Sequence, residues 1–373
     1  MRINLQPSGL NNSFLGADLT FHEYIACMQE IICQSQTQLN SELLTSKIQM
    51  NSPFELQKNT SAPKMGVLLI HGLFGSPFYV QDVARYLANQ GLLAKAILLP
   101  GHGTVPGDLL NIDYREWIKA VDYGVASFKN EVTQIYLIGY SLGGTLAVHH
   151  YLKSQQQSFI KGLILFAPAI KPKSLLKNAI VRYHYLFSWA HTYAKWYQIK
   201  PQGNLAKYSS YTLNAGAQAC KLIDQVQSLL KTKTIPAPFF ITMSFEDETI
   251  SRQAIIDLFY SQSNPLNKLL IYAKHPNVIK DPRIIQKPSA YPELKILDFS
   301  HSCLTIAPNN AYLGKNACYQ DMEHYSNPIN NPREFYLGAA SQKNIKNHLL
   351  LRLSYNPDFD NLMQSISNFL EET

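Results

Sequence analysis

One stretch constrains this chain more than any other: Tyr136-Leu137-Ile138-Gly139-Tyr140-Ser141-Leu142-Gly143-Gly144-Thr145. Its first half reads as a buried strand, its last residues as the start of a helix, and between them lies a turn carrying one serine. Gly139, Ser141 and Gly143 have the G-x-S-x-G spacing of a turn that lifts a nucleophilic serine above a sheet. Side chains at either glycine would collide with the neighbouring strand or helix, and glycine removes the collision. A turn of small residues alone would show the same spacing, so the flanking chain has to supply the rest.

It supplies an alternating pattern from residue 64 onward. Residues 67–70, 93–99, 135–138 and 162–166 are short apolar runs, separated by amphipathic helices at 78–89, around Trp117 to Phe128, and at 145–155. Apolar strands alternating with helices predict an α/β fold with a mostly parallel, doubly wound sheet. In such sheets catalytic groups sit in loops at the carboxyl ends of the strands. The sheet is expected to resume at 239–244, 269–272 and 294–299, and the chain to close with a helix over 357–371 capped by Asn356. Residues 171–235 break the rhythm: nine aromatics and no convincing strand predict a helical insertion that covers the site as a lid. The expected division is an N-terminal helical extension over 1–63, with a helix at 21–44 capped by Asp18 or Thr20; a core over 64–170 and 236–373; and the insertion at 171–235.

A serine hydroxyl needs a base, and the base needs a carboxylate to fix its tautomer. In a sheet of this kind the expected chain order is serine, acid, histidine. Asp247, three residues past the strand 239–244, is the preferred acid, with Glu246 and Glu248 beside it as alternatives. Two histidines compete for the base. Spacing favours His275; position on the loop leaving the strand expected at 294–299 favours His301, which is preferred. The stretch 274–292, with its prolines, reads as an inserted loop. Two backbone donors must hold the developing oxyanion. Leu142 N–H follows the nucleophile, and Leu73 N–H is turned inward by Gly72 and Gly75 in His71-Gly72-Leu73-Phe74-Gly75-Ser76-Pro77. His71, His149 and His150 read as structural or surface residues.

The net charge of +7 is concentrated in the insertion: residues 171–235 carry ten basic side chains and one acid, Asp224. A basic body for nucleic acid is therefore not expected. Basic and aromatic residues together make the insertion a candidate for peripheral contact with an anionic membrane. No apolar run approaches a membrane span and the first twenty residues lack a signal-type core. Five scattered cysteines give neither a zinc signature nor a disulfide framework, so a cytoplasmic protein without metal or cofactor is expected.

The loop 71–77, Pro100-Gly101-His102-Gly103-Thr104, Gly139-Tyr140-Ser141-Leu142-Gly143-Gly144, Asp247 and His301 together resemble the α/β-hydrolase superfamily, within it most closely the bacterial carboxylesterases and monoacylglycerol lipases. The resemblance runs from about residue 64 to His301. It implies the α/β-hydrolase fold, a lid where 171–235 lies, and ester hydrolysis through an acyl-enzyme on Ser141. Two departures stand out: a helix is expected in place of the usual N-terminal hairpin, and a tail at 307–353 has no assigned role. A serine carboxylester hydrolase acting on lipid-like or acyl esters is the leading reading. Its rivals are an amide or peptide hydrolase, which needs an acid for the substrate's amine, and a hydrolase-like binding protein without activity.

Overall fold

In β2 (Met65–Ile70) the run Val67-Leu68-Leu69-Ile70 is buried throughout, as a strand covered on both faces requires. The computed structural model describes residues 5–36, 39–58, 64–173, 192–275, 279–317, 319 and 335–373. Two units emerge, Met1–Lys161 with Ser174–Thr234, and Gly162–Lys173 with Ile235–Thr373.

In the first unit the strand order is β1 (Phe54–Leu56), β3 (Leu93–Ile97), β2, β4 (Gln134–Tyr140). β2 runs parallel to both β3 and β4, and Ile70 lies opposite Gly139. That register sets the loop after Ile70 and the turn after Tyr140 at the same end of the strands. β1 pairs antiparallel with β3, so an antiparallel strand does precede the parallel ones, contrary to the helix-only expectation. Three residues, half-buried, are too few to show a period in the sequence.

The helix expected over 21–44 is two. α1 (Phe21–Ser35) opens with a capping box in which Thr20 and Glu23 satisfy each other's backbone N–H groups. It buries Phe21, Tyr24, Met28 and Ile32 at helical spacing, and Tyr24 Oη donates to Leu98 O at 2.9 Å. α2 (Ser41–Asn51) restarts at Asn40, whose side chain accepts from Leu43 N–H. The polar run at 34–40 offers no apolar stripe to carry one helix through. Before α1 the described chain is an arm of bends and turns without helix or strand. Ser8 gives its N–H and hydroxyl to the Asp108 carboxylate (2.6 and 2.7 Å), Asn11 Nδ2 donates to His102 O at 2.7 Å, and Phe14 N–H donates to Glu116 at 2.9 Å. Lys95, fully buried in β3, is paired with Glu131 at 2.8 Å and Glu55 at 3.5 Å.

The helix expected at 78–89 divides into a 3-10 turn, Pro77–Val80, and α3 (Gln81–Asn89). α4 (Tyr114–Ala126) buries Trp117 and Val121 and α5 (Leu142–Lys153) is buried along most of its length. The insertion is not wholly helical. Residues 174–191, with Lys177, Arg182, Tyr183, Tyr185, Phe187 and Trp189, lie outside the described residues. Beyond them β6 (Trp196–Gln198) and β7 (Tyr211–Thr212) form an antiparallel pair before α6 (Leu213–Leu230). α6 lies against α4 and α5, with Gln218 accepting from Tyr114 N–H and Gln225 donating to Tyr114 Oη at 2.7 Å.

In the second unit the order is β5 (Ile160–Phe166, mostly in this unit), β8 (Phe239–Ser244), β9 (Lys268–Ala273), β10 (Ile284–Pro288), all parallel. α7 (Arg252–Ser261) joins β8 to β9. β10 falls within the stretch expected to be an inserted loop, while the strand expected at 294–299 is absent. There Pro292–Leu294 is a 3-10 turn and Lys295 adopts φ 54°. Ile296 makes only single bridges to Tyr291 and Leu337. The apolar residues that suggested a strand, Ile296 and Phe299, are buried one at a time from turns. The tail forms β11 (Phe335–Gly338), α8 (Gln342–Asn347) and β12 (Leu349–Arg352), with β11 and β12 parallel. α9 (Phe359–Glu372) starts two residues later than expected, because Asn356 accepts from Asp358 N–H in a turn ahead of the helix instead of capping it.

Candidate active site

Ser141 is the junction between β4 and α5, and its backbone is held at φ 54°, ψ −114°. Only a constrained turn keeps a non-glycine residue there. The constraint is visible on both sides. A Cβ on Gly139 would lie 2.4 Å from Gly143 C and O, and one on Gly143 would lie 2.0 Å from Ile70 O. The serine hydroxyl does not cap the helix it precedes. Leu142 is the first residue of α5, where helix geometry leaves N–H groups without an intrahelical acceptor.

The loop after β2 is fixed by two neutral imidazoles. His71 Nδ1–H donates to Gly72 O at 2.8 Å and its Nε2 accepts from Leu99 N–H at 3.1 Å. His102 Nδ1 faces Leu99 O and Pro100 O at 3.2 Å each, and its Nε2 accepts from Phe74 N–H at 3.0 Å. Burial drives His102 down to about 4; burial and the neighbouring His102 hold His71 well below the ordinary histidine range. The left-handed residue of this loop is Phe74 (φ 64°), not one of its glycines. Phe74 O accepts from Tyr208 N–H at 2.9 Å, and its ring stacks on Tyr211 with centroids 4.4 Å apart. Leu73 sits between Gly72 and Phe74, half-buried. The turn thus gains its shape from Phe74, His102 and the Gly75 N–H to Gly72 O bond (3.2 Å), where Gly72 and Gly75 alone were expected to make it.

In the second unit, Asp247 and His301 are brought together: Asp247 Oδ2 lies 2.6 Å from His301 Nδ1. Asp247 Oδ1 accepts from Thr249 N–H (2.7 Å) and Ile250 N–H (3.1 Å). Burial pushes the Asp247 carboxyl upward, but the His301 charge and these donors outweigh it and keep the group below the usual carboxylate range. Its backbone carbonyl accepts from Lys173 Nζ. The neighbouring acids have other partners. Glu246 accepts from Lys274 N–H and Ser289 Oγ, both at 2.9 Å, and Glu248 accepts from the backbone N–H of His301 at 3.2 Å. His275 is exposed. His149 faces Gln225 and His150 faces Asp122.

The bonds made by His102, by Phe74 and by Glu248 to the His301 backbone are not legible in the sequence. The signal for His102 is its place between two glycines, Gly101 and Gly103, in a tight loop where an imidazole has few neighbours but backbone to bond. Of the insertion's described aromatics, Trp196 and Tyr208 are buried and Tyr197 is exposed. Among the described residues no cluster of His, Cys, Asp or Glu could hold a metal ion, and no helix is long and apolar enough to cross a membrane.

Residues 61–275 match the family model described as serine aminopeptidase, S33. A thermostable monoacylglycerol lipase of Bacillus sp. (strain H-257) is 33% identical over 85 residues, covering 23% of this chain and 34% of that protein. That match spans about a third of the lipase's length. A carboxylesterase of Bacillus subtilis (strain 168) is 26% identical over 237 residues, covering 62% of this chain and 91% of that protein. A solved structure from work on LipS and LipT, two metagenome-derived lipolytic enzymes, superposes with a TM-score of 0.49 at 20% identity. It covers 59% of this chain and 86% of its own.

Proposed function

The chain belongs to the serine aminopeptidase S33 family and has an α/β-hydrolase fold; from that premise we propose that it is a serine carboxylester hydrolase acting through an acyl-enzyme on Ser141, with lipid-like or acyl esters as substrates. The observation that carries the reading is Ser141 at φ 54° between two glycines that admit no side chain. Such strain is retained where a side chain must be held out for chemistry.

Ser141 Oγ attacks the ester carbonyl while His301 Nε2 takes its proton. Asp247, bonded to Nδ1 on the other side of the ring, fixes the tautomer and stabilises the imidazolium. Leu73 and Leu142 N–H groups hold the oxyanion. His301 returns the proton to the departing alcohol, and water, activated by the same ring, releases the acid. The similarity to the Bacillus sp. monoacylglycerol lipase supports the lipid-like substrate, and the similarity to the Bacillus subtilis carboxylesterase supports ester hydrolysis.

A fluorophosphonate probe tests the nucleophile. Labelling of the wild type but not of Ser141→Ala supports the reading, and absence of labelling in both favours a binding protein. A p-nitrophenyl ester series from acetate to palmitate, beside a monoacylglycerol and an aminoacyl p-nitroanilide, tests the substrate class. Faster turnover of the anilide would replace esterase by aminopeptidase. Asp224, the insertion's single acid, is exposed on α6, and nothing about it favours amine recognition.

A further inference from the structure

The tail at 307–353, beyond the residues that match the family model, is joined to the histidine loop by side chains that ester hydrolysis does not itself require. Glu248 faces two ways. Its Oε2 accepts from the His301 backbone N–H at 3.2 Å, and its Oε1 is paired with Arg352 Nη2. Arg352 ends β12, and the next residue, Leu353, accepts the Ser300 hydroxyl through its carbonyl at 2.6 Å. Two consecutive residues of the tail therefore hold two consecutive residues of the histidine loop, one directly and one through Glu248. Ser300 is fully buried, and the Arg352 and Glu248 side chains are only 10% and 15% exposed. Water is largely excluded from this bridge, so its geometry resists the fluctuation that makes surface pairs weak.

The strand paired with the one that supplies Arg352 is fixed to the turn leading into His301. Leu297 N–H donates to Leu337 O at 2.8 Å, and Leu337 N–H donates to Lys295 O at 2.9 Å. Asp298 accepts from Ala339 N–H at 2.7 Å and from Asn344 Nδ2 at 2.9 Å. β11 is paired with β12 over four residues. The tail and residues 295–301 thus form one bonded network, with Asp247 and Glu248 adjacent in sequence at its edge. Asp247 holds the His301 ring; Glu248 holds the backbone from which that ring projects.

We propose that Glu248 and Arg352 are positioning residues for His301: Arg352 fixes the Glu248 carboxylate, and Glu248 holds the His301 backbone so that the imidazole stays seated on Asp247. Neither touches substrate. The proposal rests on His301 being the base. An ordinary buried ion pair would contribute to stability alone, whereas a positioning pair acts on turnover at full occupancy by the substrate, because a displacement of about 1 Å in a catalytic group costs up to roughly 100-fold in rate.

The test measures kcat, KM and melting temperature for Arg352→Met, Arg352→Lys, Glu248→Met, the double variant Glu248→Gln/Arg352→Met and His301→Ala, with p-nitrophenyl butyrate. Arg352→Met, which strands the Glu248 charge, is expected to lose roughly 10- to 100-fold in kcat with KM changed less than about 2-fold. Arg352→Lys should regain part of the loss. The double variant should be no slower than Arg352→Met, since the glutamine carbonyl still accepts from His301 N–H without needing a cation. Should Arg352→Met fail to fold, Glu248→Met, which roughly keeps side-chain volume but removes the acceptor for the His301 backbone N–H, is read in its place for the same selective loss of kcat. Wild-type kcat in folded Arg352→Met, or in folded Glu248→Met, with His301→Ala inactive, overturns the positioning role and leaves His301 as base. Full activity in His301→Ala overturns both.

Discussion

The Asp247 carboxylate lies 2.6 Å from the Nδ1 atom of His301, 54 residues later in the chain, with both side chains buried. The Asp247 oxygen not engaged by the ring is occupied by two backbone N–H groups, so the carboxylate cannot rotate away without abandoning them. Asp247→Asn keeps an acceptor for those groups and loses the charge. The expected result is a fall in kcat of roughly 1,000- to 10,000-fold on p-nitrophenyl esters, with the fold retained by circular dichroism. The carboxyl is depressed in the folded state, so its stabilisation is present above the ordinary carboxylate range and lost as pH falls through the folded value. In acid melts the asparagine variant should lack that loss.

Glycine replacements around Ser141 should be sharply graded. A methyl at Gly143 would meet Ile70 O at 2.0 Å, whereas one at Gly75 would meet Gly72 O at 3.3 Å. Gly143→Ala is expected to abolish soluble expression or to cost roughly 3 kcal/mol or more, read as a lower urea midpoint. Gly75→Ala should melt within a few degrees of the wild type.

Acid should weaken the first unit through its buried imidazoles. His102 titrates near 4 in the folded chain against an ordinary 6.5. Between those values the unfolded chain takes up a proton that the native chain refuses, so stability falls as pH drops from 6.5 towards 4 and the penalty is complete below that. At pH 5 the loss amounts to about 2 kcal/mol. Urea melts at pH 7 and pH 5 should show it in the wild type. His102→Gln, whose carbonyl can still accept from Phe74 N–H, should show a smaller difference.

Lys47 carries the opposite liability. It is buried on α2, donates to Leu205 O at 2.9 Å and lies 5.7 Å from the Tyr208 ring centroid; burial lowers it from 10.5 to about 7. From about pH 7 to 10.5 the unfolded chain holds the extra proton, so stability rises with pH across that window. Below it the amine is charged in both states and the full penalty persists. Asn51 Nδ2 also donates to Leu205 O, at 2.9 Å, so the carbonyl keeps a partner when the amine is removed. Lys47→Met should therefore melt above the wild type at pH 6.5, with the advantage shrinking by pH 10.

What the sequence announced was local. The run Val67 to Ile70, the run Phe239 to Ser244 and the spacing Gly139, Ser141, Gly143 each declare themselves within a few residues. β10 did not, because Ile284-Ile285-Gln286-Lys287-Pro288 ends its sheet order and stays half-exposed, with no continuous apolar run to mark it. The stretch 294–299 misled for the converse reason: its apolar residues are buried from turns. Among Glu246, Asp247 and Glu248 nothing in the order of letters tells which carboxylate meets an imidazole, which a backbone N–H and which a serine. That sorting comes from where Lys274, Ser289 and His301 arrive in space. The bond from Phe74 to His102 is likewise a matter of two loops 28 residues apart.

The arm ahead of α1 bears on the order in which the chain can fold. Ser8 finds its acceptor 100 residues downstream at Asp108, and Phe14 finds its own 102 residues downstream at Glu116. At roughly 5–20 residues per second, synthesis must run for about 5–20 s before those acceptors exist. Until then this segment cannot be seated, and Phe14, Phe21 and Tyr24 lack Tyr123, the ring against which they pack.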